Sequence, residues 1–192
     1  PLIGLLCDYQ GQLGIDEITF HKNFALKIDK SKVVDLLKRG ARLAVDDGKE
    51  NDFKKLKIDS DLRSEDAIER ASVVIDCTPK GIGHENKLKY YENFSNKVKG
   101  FIVQGSENGF GKKYARGIND NALTPEDKFI QIVSCNTHNI SCLTKTIAFS
   151  EDSNNNLDKG DFICIRRAND ISQEESFIPV SYTHLRAHET DY

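Results

Sequence analysis

The 192 residues carry a formal net charge of -3 and 38% hydrophobic side chains, enough apolar material for one or two globular domains. No basic block stands free of acidic neighbours, so neither nucleic acid nor an anionic membrane is expected as a partner, and no apolar run nears the roughly 20 residues of a membrane-spanning helix. Five cysteines without a CxxC pair suit a reducing compartment better than a disulfide scaffold, so a cytoplasmic location is expected.

The chain contains no methionine and opens at Pro1-Leu2-Ile3-Gly4 inside an apolar run, so a protein lacking its N-terminal part is expected. Pro1 to Cys7 is expected as a strand ending at Asp8. As the second strand of a dinucleotide-binding unit it would place Asp8 to accept ribose hydroxyls of a cofactor, favouring NAD over NADP by repelling a 2′-phosphate. The plainer alternative is that Asp8 opens the loop Tyr9-Gln10-Gly11-Gln12. Lys32 to Lys38 is expected as a helix stopped by Gly40, and Arg42 to Val45 as a short strand. Asp46 to Lys55 reads as a loop or a solvated helix. Ser64 with Glu65 and Asp66 behind it starts a second helix, ending near Ala71, because hydroxyl and acidic side chains complement unpaired amides in a first turn.

Ser72 to Cys77 is an apolar run with Asp76 near its end, and Thr78-Pro79 cannot continue it. Ligands of open α/β sheets lie outside the carboxyl ends of strands, which makes Thr78 to Gly83 a candidate cofactor loop with Thr78 and Pro79 at its head. Gly81 and Gly83 would let backbone approach a ligand, although turns use glycine for many other reasons. Glu85 to Phe94 is expected as helix and Gly100 to Val103 as strand, leading into Gln104-Gly105-Ser106-Glu107. Gly109-Phe110-Gly111-Lys112-Lys113 lacks the spacing of a phosphate loop and reads as a loop or the start of a helix through Leu123.

Phe129 to Val133 is short, apolar and β-branched, as buried strands are. The period then changes, with Ile140, Leu143 and Ile147 at helical spacing, so a helix with its apolar stripe against a core is expected. Cys135 sits at the joint, where unpaired amides at a helix start favour thiolate over thiol. Packing is the commoner use of such a cysteine. His138, three residues on, is tempting as a base but is expected to sit exposed near the helix start. Ser150 to Gly160 reads as a linker. Phe162 to Ile165 reads as a strand ending in Arg166 and Arg167, guanidinium groups suited to phosphate or carboxylate. From Val180 the text has no structural period and reads as a translated sequencing adapter, so residues 180–192 are set aside. His184 and His188 lie there, four apart, but the HExxH order is absent and no metal site is expected.

Ser134-Cys135-Asn136-Thr137 between an apolar strand and an amphipathic helix resembles the nucleophile segment of archaeal-type glyceraldehyde-3-phosphate dehydrogenases. Asp76-Cys77-Thr78-Pro79-Lys80-Gly81-Ile82-Gly83, Gln104-Gly105-Ser106-Glu107 and Ile165-Arg166-Arg167-Ala168 are similar to three further segments of that family, in the same order, so the resemblance spans roughly residues 65–179. It implies an α/β fold: a partial Rossmann-type doubly wound sheet over residues 1–134, then the start of an α+β catalytic domain over 135–179. It implies NAD or NADP as cofactor, glyceraldehyde 3-phosphate and inorganic phosphate as reactants, and a homotetramer. Cys135 would be the nucleophile, Ser134 and Asn136 would contact substrate, and Thr78, Pro79, Gly105, Ser106 and Arg167 would contact cofactor. Ser106 departs from the family's pattern by replacing a glycine. The family's base, a histidine on a later strand, would fall beyond Pro179, so the chain as it stands is expected to lack both that base and the glycine-rich turn, and to be close to inactive. Related semialdehyde or acyl-phosphate dehydrogenases and a non-catalytic Rossmann-type nucleotide-binding protein are the alternatives, and the reactivity of the Cys135 thiol separates the last from the rest.

Overall fold

The computed structural model describes residues 1–105, 107–149 and 157–163. The described chain is α/β, built on two parallel sheets. The first compact unit comprises Pro1–Val74 with Asn93–Val98, and the second Ile75–Glu92 with the described residues from Lys99 onward.

The first unit opens on helices α1 (Leu2–Asp8) and α2 (Gln10–Leu13), continues through β1 (Thr19–His21), a 3-10 turn at Lys27–Asp29, α3 (Lys30–Lys38), β2 (Arg42–Val45), α4 (Glu50–Lys55), β3 (Leu62–Arg63) and α5 (Ser64–Arg70). The expected strand at Pro1 to Cys7 is thus a helix. Every residue of that run but Gly4 is apolar or proline, so period is hard to read from it. Its helical set, Ile3, Leu6 and Cys7, packs on the core while Leu5 stays exposed. β1, β2 and β3 form a parallel sheet in that order, with Phe20 opposite Leu43 and Ala44 opposite Leu62. Its core is Ile18, Phe20, Val33, Leu43, Val45, Phe53 and Ile58. Phe53, in the charged stretch read as loop or solvated helix, is the side chain that anchors α4. Outside the core, Glu17 ties Arg42 at 2.7 Å and Arg70 at 3.1 Å. The Arg42 hydrogen bond comes first among the causes that hold the Glu17 carboxyl below its ordinary value, ahead of an opposing cost of burial.

The second sheet has the order β4 (Val73–Asp76), β5 (Gly100–Gln104), β7 (Phe129–Ile132), β6 (Lys112–Tyr114). β5 and β6 both run parallel to β7. The expected α/β architecture with parallel strands is present, its strands falling into two sheets; β3 offers two residues of ladder before α5 begins. Between β4 and β5 run α6 (Ile82–Asn86), a π-helical turn at Lys87–Tyr91 and α7 (Glu92–Phe94). Phe101, Phe129, Phe110 and Tyr91 make an aromatic core, with Phe101 stacked on Phe129 at 5.1 Å and on Tyr91 at 4.9 Å. The Lys87 ammonium lies 4.4 Å from the Phe129 ring centre and donates to the Phe110 carbonyl at 2.7 Å. The helix expected through Leu123 is instead β6, a turn and a 3-10 turn at Asp120–Ala122. Local side chains outcompete the helix there: Asn119 accepts from the Ala115 amide and donates to the Lys113 carbonyl, while Asp120 accepts from the Gly117 amide at a glycine of φ 77°.

β7 leads into α8 (Cys135–Ala148). Its expected apolar stripe is only partly covered by the described chain: Ile140 is half-buried, whereas Leu143 is 48% and Ile147 81% exposed. Of the expected strand at Phe162 to Ile165, Phe162 and Ile163 are irregular and the rest lies outside the described residues.

Candidate active site

Two strand ends in the second sheet, those of β4 and β7, carry most of the sequence-predicted residues, and Gly105 follows a third, that of β5. At the end of β7, Ser134 is the N-cap of α8, with extended backbone (φ -62°, ψ 158°), and its hydroxyl oxygen accepts from the Thr137 amide at 3.2 Å. That hydrogen bond and the neighbouring Thr137 hydroxyl, 2.9 Å away, engage Ser134 as a cap. Cys135 is the first residue of the helix, is exposed, and has its thiol 4.0 Å from the Asn136 side-chain oxygen. The first amides of a helix have no intrahelical partner, and Ser134 uses only that of Thr137, which leaves the Cys135 and Asn136 amides open among the described residues. His138 is half-buried, and its Nε2 donates to the Arg116 carbonyl at 3.0 Å. That contact orients the ring towards the turn after β6 and brings Arg116 to the first turns of α8. Sequence reading missed Arg116 because it placed the residue in a helix.

The end of β4 is the opposite case. Asp76 is buried, 4% exposed. Its carboxylate accepts the Thr78 amide at 2.8 Å, the Thr78 hydroxyl, the Asn86 amide group at 2.9 Å and the Tyr91 hydroxyl at 2.7 Å. Burial pushes the Asp76 carboxyl up, but the hydrogen bonds from Asn86, Thr78 and Tyr91 outweigh it and hold the group below its ordinary value. The Tyr91 hydroxyl is pushed far up by burial, then by Asp76. Asn86 and Tyr91 are five residues apart, which an α-helix would set about 140° apart around its axis. The π-helical turn between them brings both onto one carboxylate. Cys77 is exposed, yet burial of its surroundings, then the Asp76 charge, push its thiol up.

The glycines of this loop serve the fold. Gly81, at φ 91°, donates its amide to the buried Glu107 carboxylate, and the His84 amide reaches the other oxygen at 3.2 Å. A Cβ on Gly83 would stand 2.9 Å from Val103 and 3.0 Å from Glu107, so the space beside it is taken by the protein itself rather than left for a ligand. Gly105, at φ 69° after β5, is likewise engaged: its amide donates to the Ile132 carbonyl and its carbonyl accepts from Gln131, both at 3.0 Å. Thr78 is half-buried and Pro79 exposed. Asp8 belongs to neither strand end. It closes helix α1 and takes Arg39 Nη1 at 3.0 and 3.1 Å, so the argument that set it at a strand's carboxyl end does not hold. Ser106, Arg166 and Arg167 lie outside the described residues, as do residues 180–192. Among the described residues no His, Cys, Asp and Glu cluster could hold a metal, and no helix is long and apolar enough to cross a membrane.

Comparison with known proteins follows the open strand end. No family model matches the chain. Glyceraldehyde-3-phosphate dehydrogenase of Archaeoglobus fulgidus is 35% identical over 96 residues, 47% of this chain and 26% of that protein. The protein of the same name from Methanobacterium bryantii is 32% identical over 124 residues, 57% of this chain and 36% of that one. The one from Pyrobaculum arsenaticum is 36% identical over 94 residues, 46% and 25% respectively. The chain is related to the archaeal glyceraldehyde-3-phosphate dehydrogenases. Its matches to these three relatives span 25% to 36% of their length. The relation agrees with the parallel α/β architecture, and it leaves the two strand ends to be judged on their own chemistry: one with its polar groups satisfied internally, one with an exposed thiol beside open amides.

Proposed function

We propose that the protein is an NAD(P)-dependent phosphorylating dehydrogenase of glyceraldehyde 3-phosphate, with Cys135 as its nucleophile. The observation that carries this reading is the exposed Cys135 at the first residue of α8, with neighbouring amides that no described group engages. The relatives' names supply the substrate.

The Cys135 sulfur attacks the aldehyde carbon, forming a C–S bond as the carbonyl electron pair moves onto oxygen. The Cys135 amide and the Asn136 side chain are the nearest donors for that developing negative charge. The thiol proton ends on that oxygen, giving a hemithioacetal hydroxyl. A general base then takes this proton as the C=O bond re-forms and the C–H bond of the same carbon breaks to release hydride; His138, already bound to the Arg116 carbonyl, is not assigned the role of base. Nicotinamide supplies the hydride acceptor. Cys135 then holds the acyl group as a thioester, which inorganic phosphate attacks; the C–S bond breaks, the acyl phosphate leaves, and the thiolate returns.

In this reading the dinucleotide would lie along the exposed head of the loop after β4, where Pro79 is exposed and Thr78 half-buried. Thr78 and Pro79 would meet it after β4, and Gly105 with Ser106 after β5, Arg167 adding charge. The Gly81 and His84 amides are already committed to Glu107 and would not cradle phosphate. A homotetramer in the cytoplasm is part of this reading.

The test is reduction of NAD and NADP by the full-length protein with glyceraldehyde 3-phosphate and phosphate, alongside Cys135→Ser. Turnover that depends on phosphate and vanishes in the variant is expected. Phosphate-dependent turnover of a semialdehyde instead would reassign the substrate, and an unreactive Cys135 would end the dehydrogenase reading.

A further inference from the structure

The loop from Thr78 to His84 is held from inside by two buried carboxylates, Asp76 at the end of β4 and Glu107 in the connection after β5. Asp76, at its head, takes the Thr78 amide and hydroxyl. Glu107, at its far end, is 1% exposed and takes the Gly81 and His84 amides, one on each oxygen. Glu107 therefore supplies, from within the protein, the negative charge that a helix start attracts. Gly83 leaves room for it, since a side chain there would press on both Val103 and the Glu107 stem. His84 closes the arrangement: its ring Nε2 bonds the Asn108 carbonyl at 2.9 Å and stands 3.9 Å from the Glu107 carboxylate.

We propose that Glu107 is a positioning residue for the cofactor: its carboxylate fixes Gly81 to His84, so that the loop meets the dinucleotide through the Thr78–Pro79 edge. This rests on the dehydrogenase reading above. The mechanism itself does not use Glu107, which touches no reacting atom. An alternative role has the opposite sign. If Glu107 merely occupied amides that a phosphate would otherwise take, removing its charge would tighten cofactor binding.

The experiment compares full-length wild type with Glu107→Gln, of the same shape but with one acceptor oxygen, and Glu107→Asp, which keeps the charge. Backbone hydrogen exchange at Gly81 and His84 is read without cofactor. Dissociation constants for NAD and NADP are read by titration, and kcat at saturating cofactor. In Glu107→Gln, exchange at the two amides rises about tenfold and the cofactor dissociation constant rises by a similar factor, because a charged acceptor is lost. The kcat at saturation stays within about twofold, and Glu107→Asp recovers part of the affinity. Exchange that does not rise overturns the clamp. Faster exchange with unchanged cofactor affinity makes Glu107 structural only and overturns the proposal, as does tighter binding in Glu107→Gln. If wild type binds neither dinucleotide, the dehydrogenase reading fails and takes the cofactor role with it, while exchange still decides whether the clamp exists. If Glu107→Gln does not fold, Glu107→Asp carries the same comparison: exchange at Gly81 and His84 faster than in wild type and faster than global unfolding accounts for, with weaker cofactor binding, supports the proposal, and wild-type affinity overturns it.

Discussion

The junction after β4 and the junction after β7 are built from the same parts, a strand end, a cysteine, a threonine and a helix start, yet they spend their polar groups differently. After β4, Asp76 and Glu107 absorb the amides of Thr78, Gly81 and His84, two side-chain donors and a hydroxyl, and the exposed Cys77 thiol is pushed up. After β7, one serine hydroxyl caps one amide, and the thiol of Cys135 is exposed beside amides left open among the described residues. A junction saturated from within can hold a shape. One left unsaturated can hold a reaction, because donors aimed outward stabilise charge that develops on a substrate.

The sharpest break of this comparison is to exchange serine for cysteine at each junction. Cys135→Ser is expected to lower kcat by at least about 10⁴-fold, and Cys77→Ser by less than about twofold, in the phosphate-dependent dehydrogenase assay. Equal losses would erase the distinction. Alkylation at neutral pH, followed by peptide mass spectrometry, is expected to mark Cys135 well ahead of Cys77, because burial and the Asp76 charge keep the Cys77 thiol protonated.

Asp76→Asn attacks the saturated junction. An asparagine keeps one acceptor oxygen and must turn its NH2 towards either the Thr78 donors or the Asn86 and Tyr91 donors, so a loss of about 1–3 kcal/mol in folding stability is expected from denaturant unfolding at neutral pH. The pH dependence carries a sign. The Asp76 carboxyl is held below its ordinary 3.8, so its contribution is present above about pH 4 and is lost as pH falls through its lower folded value. The gap between wild type and variant should therefore shrink as pH falls through that lower folded value; a gap that stays constant through the acid unfolding range would mean that the charge of Asp76 is not what matters. Ser134→Ala attacks the other junction more gently. Loss of the cap should cost about 1 kcal/mol, with a kcat change far smaller than that of Cys135→Ser.

Much of this was legible in the sequence where two signals agreed. The strand at Phe129, the switch to helix and the place of Cys135 followed from a change of period, and β2 followed from an apolar run after a glycine stop. α1 was misread because Pro1 to Cys7 is almost uniformly apolar and so carries no period, and Asp8 was misplaced with it. The turn after β6 was misread because its order comes from Asn119 and Asp120 bonding backwards, a competition that composition does not reveal. The Asp76 network was invisible for another reason. It joins residues 76, 78, 86 and 91 through a π-helical turn, and no 3.6-residue pattern puts Asn86 and Tyr91 on one face. The glycines after β4 were seen, but their purpose was not, since only the structure shows Val103 and Glu107 filling the space beside Gly83.

The smallest effect probes how far the openness of the β7 junction extends along its helix. Ile147 is 81% exposed and Leu143 48%, whereas on the β4 side the short α6 buries Gly83 and turns Asn86 inward to Asp76. Hydrophobic stabilisation scales with apolar area removed from water, and little is removed at Ile147. Ile147→Ser in this chain should thus change stability by less than about 0.5 kcal/mol, as exposed substitutions do. The same substitution in the full-length protein is read by the same unfolding measurement. A change within that limit means the outer edge of α8 faces water there too. A loss of about 1.5 kcal/mol or more means the helix carries a covered face as well as an open end, and the contrast between the junctions then applies to the first turn of α8 alone.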